Sequence, residues 1–257
     1  MLSELSKAHE FMSRKLVTIE SHSNVSKAVK LMVDYNIGSI IVMDTTGPTG
    51  IFTERDLLRN VLDAGRKMEE PILKEVMTPS LNALDSDSTV VDAARLMSEK
   101  KGRLVVLKDG NPVGIITATD IVREIQREGC HFDFTGSYTR GVWEVPPSAK
   151  VAEVVHLMAR ERIGSVIVSK GMYPRGIFTE RDLLQSVLTL EFRMGERVEN
   201  FATHHIVTAS EDISGHQAAD IMTRYRIKRL PLVRGEEVIS GIVTARDLVQ
   251  AFAESAK

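Results

Sequence analysis

The sequence predicts a mixed α/β (α+β) fold made of four tandem β-α-β-β-α repeats, and three observations predict it. One phrase recurs as Gly50-Ile-Phe-Thr-Glu-Arg-Asp56, Gly114-Ile-Ile-Thr-Ala-Thr-Asp120, Gly176-Ile-Phe-Thr-Glu-Arg-Asp182 and Gly241-Ile-Val-Thr-Ala-Arg-Asp247, at intervals of 64, 62 and 65 residues. Self-similarity at a fixed period is the mark of a repeat architecture. Each copy is also preceded by the same order of apolar patterns. Finally, 257 residues with 43% hydrophobic and 26% charged side chains have the composition of a globular chain able to bury a sizeable core.

The first repeat shows how each element is read. Val17-Thr-Ile19 is a short β-like run, and Ser23 and Asn24 offer an N-cap to a helix whose stripe is Val25, Ala28, Val29, Met32 and Val33. Ser39-Ile-Ile-Val-Met43 has a buried-strand pattern, followed by a turn at Thr46-Gly-Pro48, a second strand over Gly50–Phe52 and a helix from Glu54 to about Ala64. The later helices carry the stripes Val90, Ala93, Ala94, Met97; Val151, Val154, Val155, Met158; and Ala218, Ile221, Met222, Tyr225. Their hairpins open with Leu104–Leu107, Ser165–Val168 and Leu230–Val233, and Pro231 places the last of these at a sheet edge or in a poorly paired position.

The repeats span 8–64, 73–128, 137–192 and 198–255. A unit of about 60 residues buries too little surface to be secure alone, so the repeats are expected to pair. Repeats one and three share Gly-Ile-Phe-Thr-Glu-Arg-Asp-Leu-Leu, which suggests a duplicated pair: modules 8–128 and 137–255, joined by the Gly-containing segment 129–136.

A formal charge of −2 gives no basic field for a phosphate backbone, which disfavours nucleic acid as a partner. The longest apolar runs fall far short of a membrane span and the start lacks the regions of a signal peptide, so a cytoplasmic protein is expected. Cys130, the sole cysteine, excludes an internal disulfide and a thiolate-rich zinc site. The chain has no Gly-x-x-x-x-Gly-Lys-Ser/Thr loop, His-Glu-x-x-His, Gly-x-Ser-x-Gly or Gly-x-Gly-x-x-Gly after a strand, which argues against an enzyme. His204 and His205 point to opposite faces rather than to one metal, and His131 lacks companions at ligand spacing, so no metal is required.

In each phrase a Thr closes a strand and opens a helix, with Asp three residues on: Thr53 with Asp56, Thr117 with Asp120, Thr179 with Asp182 and Thr244 with Asp247. Both side chains gather where unpaired backbone N–H groups and the positive dipole end lie. One reading is a capping box that serves the helix alone; the other is a corner in which the carboxylate also accepts from the paired hydroxyls of a ribose. Arg55, Arg181 and Arg246 stand in the first helical turn, where the dipole disfavours a cation by ~0.3–1 kcal/mol, so an acidic protein group or a ligand phosphate is expected nearby.

The β-α-β-β-α order and four Gly-h-h-Thr-x-x-Asp motifs in register, from about Phe11 to Phe252, resemble the cystathionine β-synthase (CBS) domain, whose tandem pairs form Bateman modules. The resemblance implies a non-catalytic regulatory protein that binds an adenosine-containing ligand in clefts between paired repeats: AMP, ADP, ATP or S-adenosylmethionine. It implies ribose contacts from Asp56, Asp120, Asp182 and Asp247 with their threonines, and phosphate contacts from Arg103 and Arg229, which occupy the hairpin entry as in nucleotide-sensing members such as the gamma subunit of AMP-activated protein kinase. Thr18 and Thr208 match a further ligand-contact position. Glu144 takes that place in repeat three and Thr119 replaces the motif Arg in repeat two, so fewer than four occupied sites are expected. The implied partners are the small nucleotide and a separate protein, with assembly as a homodimer or an intramolecular disc of four repeats. The alternative is a ligand-free dimerisation or scaffold protein.

Overall fold

The computed structural model describes residues 5–100, 102–132, 134, 138–171, 173–189, 194–235 and 238–256. A short helix α1 (Ala8–Phe11) precedes repeat one, which runs β1 (Thr18–Glu20), α2 (Val25–Asp34), β2 (Ser39–Asp44), β3 (Gly47–Thr53) and α3 (Glu54–Asp56), continued by a π-helical stretch over Leu57–Leu62. Lead-in elements α4 (Leu73–Val76) and β4 (Thr78–Pro79) then bring the chain to repeat two: β5 (Asn82–Asp85), α5 (Val90–Lys100), β6 (Leu104–Lys108), β7 (Asn111–Ile116) and α6 (Ala118–Arg127). Lead-in strand β8 (Thr139–Arg140) precedes repeat three: β9 (Glu144–Val145), α7 (Val151–Arg160), β10 (Ser165–Lys170), β11 (Tyr173–Thr179) and α8 (Glu180–Thr189). Repeat four is β12 (Ala209–Ser210), α9 (Gly215–Tyr225), β13 (Arg229–Arg234), β14 (Val238–Thr244) and α10 (Ala245–Ser255). Asn24 caps α2 by accepting from the Lys27 amide, and Ser214 and Gln217 form a reciprocal box at the start of α9.

Every repeat has the same small sheet: its first strand lies parallel to the second, and the second forms an antiparallel hairpin with the third. All four hairpins shift register at one equivalent place, between Val42/Met43, Val106/Leu107, Val168/Ser169 and Leu232/Val233. Pro231 is not on an edge strand. It pairs with Ile242 on one side, and on the other β12 registers only with Leu232 and Val233, so Pro231 lies beyond the end of the parallel ladder, where its missing donor costs least.

The Gly that opens each motif has a packing cause. A Cβ on Gly50, Gly114, Gly176 or Gly241 would lie 2.7, 3.0, 2.9 or 2.7 Å from the backbone carbonyl of Thr78, Ser13, Thr203 or Thr139. Each of these belongs to a lead-in segment that crosses the third strand of a repeat, so only Gly permits the crossing. The segment before repeat one crosses repeat two and the segment before repeat two crosses repeat one; repeats three and four exchange lead-ins in the same manner.

Two compact units result. Unit one comprises Met1–Leu16, Leu81–Val142 and Val207–Lys257, and unit two comprises Val17–Ser80 and Trp143–Ile206. Neither is one of the sequence halves 8–128 and 137–255: unit one joins repeats two and four, and unit two joins repeats one and three. Helical stripes make each join. Val25, Ala28, Val29, Met32, Leu57, Leu58 and Val61 share one core with Val151, Val154, Val155, Met158, Leu183 and Leu184. Val90, Ala93, Ala94 and Met97 share the other with Ala218, Ala219, Met222, Leu248 and Phe252. At ~1.5–3 kcal/mol for each large apolar side chain fully buried, these faces dominate the stability of the units.

Tyr225, expected on the stripe of α9, is 56% exposed. Gly215, Ala218, Ala219 and Met222 complete that face in i, i+3, i+4, i+7 spacing, and position 225 lies at the helix end, before left-handed Arg226 (φ 54°). The segment between the halves is packed: Phe134 is buried in the core of unit one, and Phe132 lies over Gly215, where a Cβ would strike its ring. Asp133, Thr135 and Gly136 of that segment lie outside the described residues.

Candidate functional site

Each motif Thr sits in extended backbone as the N-cap of the helix that follows; Thr53 has φ −130° and ψ 167°. Its Asp turns back on it. Asp56 Oδ2 accepts from the Thr53 amide (2.8 Å) and hydroxyl (2.6 Å), Asp120 Oδ2 from Thr117 (2.8 and 2.7 Å), Asp182 Oδ2 from Thr179 (2.8 and 2.6 Å), and Asp247 Oδ2 from Thr244 (2.7 and 2.8 Å). The capping box therefore exists in all four repeats and consumes one carboxylate oxygen.

The second oxygen distinguishes the repeats. Asp56 Oδ1 accepts from the Thr78 hydroxyl at 2.9 Å and Asp182 Oδ1 from the Thr203 hydroxyl at 3.2 Å. Both donors come from lead-in segments. Asp120 Oδ1 lies 3.5 Å from Arg123. Among the described residues no donor reaches Asp247 Oδ1.

A helix start elsewhere separates capping from burial. Thr89 and Asp92 make the same box, with the Thr89 amide and hydroxyl 2.8 and 2.7 Å from Asp92 Oδ2, on an exposed helix start. The Thr89 hydroxyl holds the Asp92 carboxyl below its ordinary value. In Asp182 and Asp247 burial overrides the threonine hydrogen bonds and pushes the carboxyl up. Asp56 is buried and Asp120, Asp182 and Asp247 are part-buried, although capping itself needs no burial, and a displaced carboxyl with an oxygen free of donors among the described residues, as at Asp247, marks a candidate functional site.

Arg55 and Arg181 pair with glutamates of each other's repeat. Arg55 Nε donates to Glu180 Oε1 at 3.1 Å, and Arg181 Nη1 donates to Glu54 Oε1 at 3.2 Å. Arg181 also donates through Nη2 to Asn36 Oδ1. Repeats one and three thus trade glutamates that are each 7% exposed. Gly38 makes room for one of them, since a Cβ there would lie 2.8 Å from Glu54 Oε2. Glu54, Glu180, Thr78 and Thr203 were not singled out from sequence. The doubled Glu-Arg of repeats one and three, against Ala-Thr and Ala-Arg in repeats two and four, was the available signal.

At the hairpin entry Ser39, Ser165 and Arg229 lie directly across the ladder from Thr53, Thr179 and Thr244, and Arg103 precedes Leu104, which faces Ile116. Arg229 is thereby set beside the Thr244 corner. Arg246 follows that corner on α10. On the leading strands Thr18 and Glu144 share one register, facing Ile41 and Ile167, and Thr208 precedes Ala209, which faces Leu232. Glu144 accepts from the Ser169 hydroxyl at 2.5 Å.

Thr208 lines an open cleft of about 670 Å³ in unit one, together with Asp212, His216, Gln217 and Asp220. His216 Nδ1 is buried without a hydrogen-bond partner among the described residues. By residue, Thr18, Thr53, Arg55, Asp56, Thr179, Arg181 and Asp182 belong to unit two; Arg103, Thr117, Asp120, Thr208, Arg229, Thr244, Arg246 and Asp247 belong to unit one. Among the described residues no group of three or more His, Cys, Asp or Glu side chains is placed to hold a metal ion, and no helix is long and apolar enough to cross a membrane. Burial pushes the Cys130 thiol up, away from the reactive thiolate.

Comparison with known proteins agrees with this architecture. A model of the CBS domain matches residues 8–63, 73–127, 136–189 and 198–254. The MJ1404 protein of Methanocaldococcus jannaschii is 29% identical over an alignment of 269 positions, covering 96% of this chain and 62% of that relative, so the chain spans less than two thirds of its length. The crystal structure of MJ1225 from the same organism, a proposed archaeal homologue of g-AMPK, superposes with a TM-score of 0.83 at 19% identity over 96% of this chain and 100% of that one. A conserved protein of Pyrococcus horikoshii superposes at 0.67 with 22% identity, again over 96% and 100% of the two chains. At these identities the structural likeness speaks to the fold.

Proposed function

Because the chain belongs to the CBS-domain family, we propose that it is a non-catalytic regulatory protein that binds an adenosine-containing ligand at its Thr–Asp corners and transmits occupancy to a separate protein partner. One observation carries the reading: Asp247 is part-buried, desolvation pushes its carboxyl up, and its second oxygen has no donor among the described residues. A vicinal diol supplies the missing donors. Arg229, across the ladder from Thr244, is placed to meet a phosphate on the same ligand. AMP, ADP, ATP and S-adenosylmethionine all present that diol. The modules 8–128 and 137–255 are the proposed functional pairs, and the exchange of lead-in segments between consecutive repeats supports that grouping.

Asp56 and Asp182 already accept a threonine hydroxyl on the second oxygen, so a ribose has to displace Thr78 or Thr203. Repeat four is accordingly expected to bind first. The test is a thermal-shift panel of adenosine, AMP, ADP, ATP, S-adenosylmethionine and guanine nucleotides on the wild type and on Asp247→Asn. Ligand at 100 times its dissociation constant adds ~2.7 kcal/mol per site. Asparagine still accepts from Thr244 through its oxygen but turns a donor toward the diol, so the box survives and the ligand shift is lost. If no adenosine compound stabilises the wild type, the corners are caps and the chain is a ligand-free scaffold.

A further inference from the structure

Unit two carries a pseudo-symmetry that its side chains break. Position for position, Arg55, Arg59 and Asn36 of repeat one correspond to Arg181, Gln185 and Arg162 of repeat three: the first two pairs stand two and six residues after the motif Thr, and the third pair is the left-handed residue ending the first helix (φ 55° and 56°). Arg181 is satisfied twice, by Glu54 and by the Asn36 side-chain oxygen. Among the described residues Arg55 has only Glu180, because Arg162 stands at the position of the acceptor. A second cation, Arg59, follows one turn later on the same helix, where its counterpart is neutral Gln185.

Among the described residues, the half-buried Arg59 makes no hydrogen bond or ion pair, and neither does the Arg162 side chain. The two lie within electrostatic range of each other, and α7, which ends just before Arg162, packs on the Leu57–Leu62 stretch that holds Arg59. Burial and then Arg55 hold the Arg59 guanidinium below its ordinary value. The acids in range are Glu180, bound to Arg55, and Asp56, engaged by Thr53 and Thr78, so both are already committed. Arg59 also lies in the π-helical stretch, whereas α8 is α-helical throughout. Such turns concentrate at functional sites.

We propose that Arg55, Arg59 and Arg162 form a binding site for a phosphoryl-bearing anion. Two guanidinium groups without partners among the described residues, within electrostatic range of each other and joined by Arg55 one turn before Arg59, supply the charge and donors that phosphate oxygens take, and the anion offsets their mutual repulsion. The site stands apart from the ribose reading of Asp247, which lies in unit one. The shared chemistry has two sources, a free inorganic anion or the phosphate tail of a nucleotide.

The sequence supplies its own conservative variants, Arg59→Gln and Arg162→Asn, each copying the residue that the fold already holds at the equivalent position. Binding of inorganic pyrophosphate, ATP and adenosine would be measured by calorimetry, with circular dichroism confirming the fold. The wild type is expected to bind pyrophosphate, with affinity falling at least tenfold in each variant, while adenosine is unaffected. An equal loss for ATP identifies a nucleotide tail as the natural occupant, and a loss for pyrophosphate alone identifies a free anion. In phosphate-free, low-salt buffer both variants should melt above the wild type. Absence of pyrophosphate binding to the wild type, or wild-type pyrophosphate affinity in both variants, would overturn the proposal. If this site fails while Asp247→Asn still abolishes the adenosine shift, the functional reading stands without it.

Discussion

Asp92 and Asp247 make the same hydrogen-bonded box with a threonine three residues earlier, yet their carboxyls are displaced in opposite directions. Hydrogen bonds favour the charged form and desolvation disfavours it, and burial decides which prevails. The consequence for stability follows by linkage. With its folded value above its unfolded value, Asp247 binds a proton more readily in the folded than in the unfolded chain. The stability it contributes is full below the unfolded value, near 3.8, and is lost as pH rises through the folded value. Urea denaturation between pH 4 and 7 is therefore expected to show Asp247→Asn losing less stability with rising pH than the wild type. Equal slopes would show that Asp247 is solvated. Diol binding favours the carboxylate, so ligand affinity should rise with pH over the same window.

At the scale of elements, the helix starts of repeats one and three are joined by reciprocal ion pairs, Arg55 with Glu180 and Arg181 with Glu54. The glutamate side chains are 9% and 8% exposed and the arginines 37% and 26%, so the carboxylates bear most of the desolvation. Removing one member of a buried pair leaves the other uncompensated, at ~3–5 kcal/mol when both are fully buried, and exposure of the arginines lowers this. Glu54→Ala is expected to cost about 2–3 kcal/mol. Glu54→Ala with Arg181→Ala should cost clearly less than the sum of the single changes, a coupling of ~0.5–3 kcal/mol for residues in contact. Additive losses in a double-mutant cycle would show that the pair adds nothing beyond packing. Repeats two and four place Ala118 and Ala245 at the glutamate positions, so an apolar contact serves the equivalent place.

For the whole molecule, each compact unit draws on both sequence halves, with its sheets completed inside a half and its helical faces completed across halves. Residues 1–128 hold all strands of the first two sheets and the lead-ins that repeats one and two exchange. They lack the helices that cover Val25, Val29 and Met32 in unit two, and Val90, Ala94 and Met97 in unit one. Separate fragments 1–128 and 137–257 are therefore expected to self-associate through these stripes, and to form a one-to-one complex when mixed. Light scattering with circular dichroism checks this, and two folded fragments that remain monomeric would show that the helical joins are dispensable.

The order of elements, the helical stripes and the four Thr–Asp corners were legible in the sequence because they rest on local rules: a period of 3.6 for helices, apolar runs for strands, and a three-residue spacing that closes a box. Tyr225 escaped because a stripe read by spacing alone does not say where the helix ends. Four outcomes needed the tertiary structure. Repeats one and three share a unit through their apolar helical faces, with Glu-Arg meeting Glu-Arg across the join, and a pairing over more than a hundred residues has no local period. The motif glycines serve a crossing segment that is distant in sequence. Thr78 and Thr203 occupy two carboxylates that share the Thr-x-Arg-Asp pattern of Asp247. The desolvation of each carboxyl and the donor that reaches its second oxygen depend on everything packed around it, so one motif written four times yields corners of unlike chemistry.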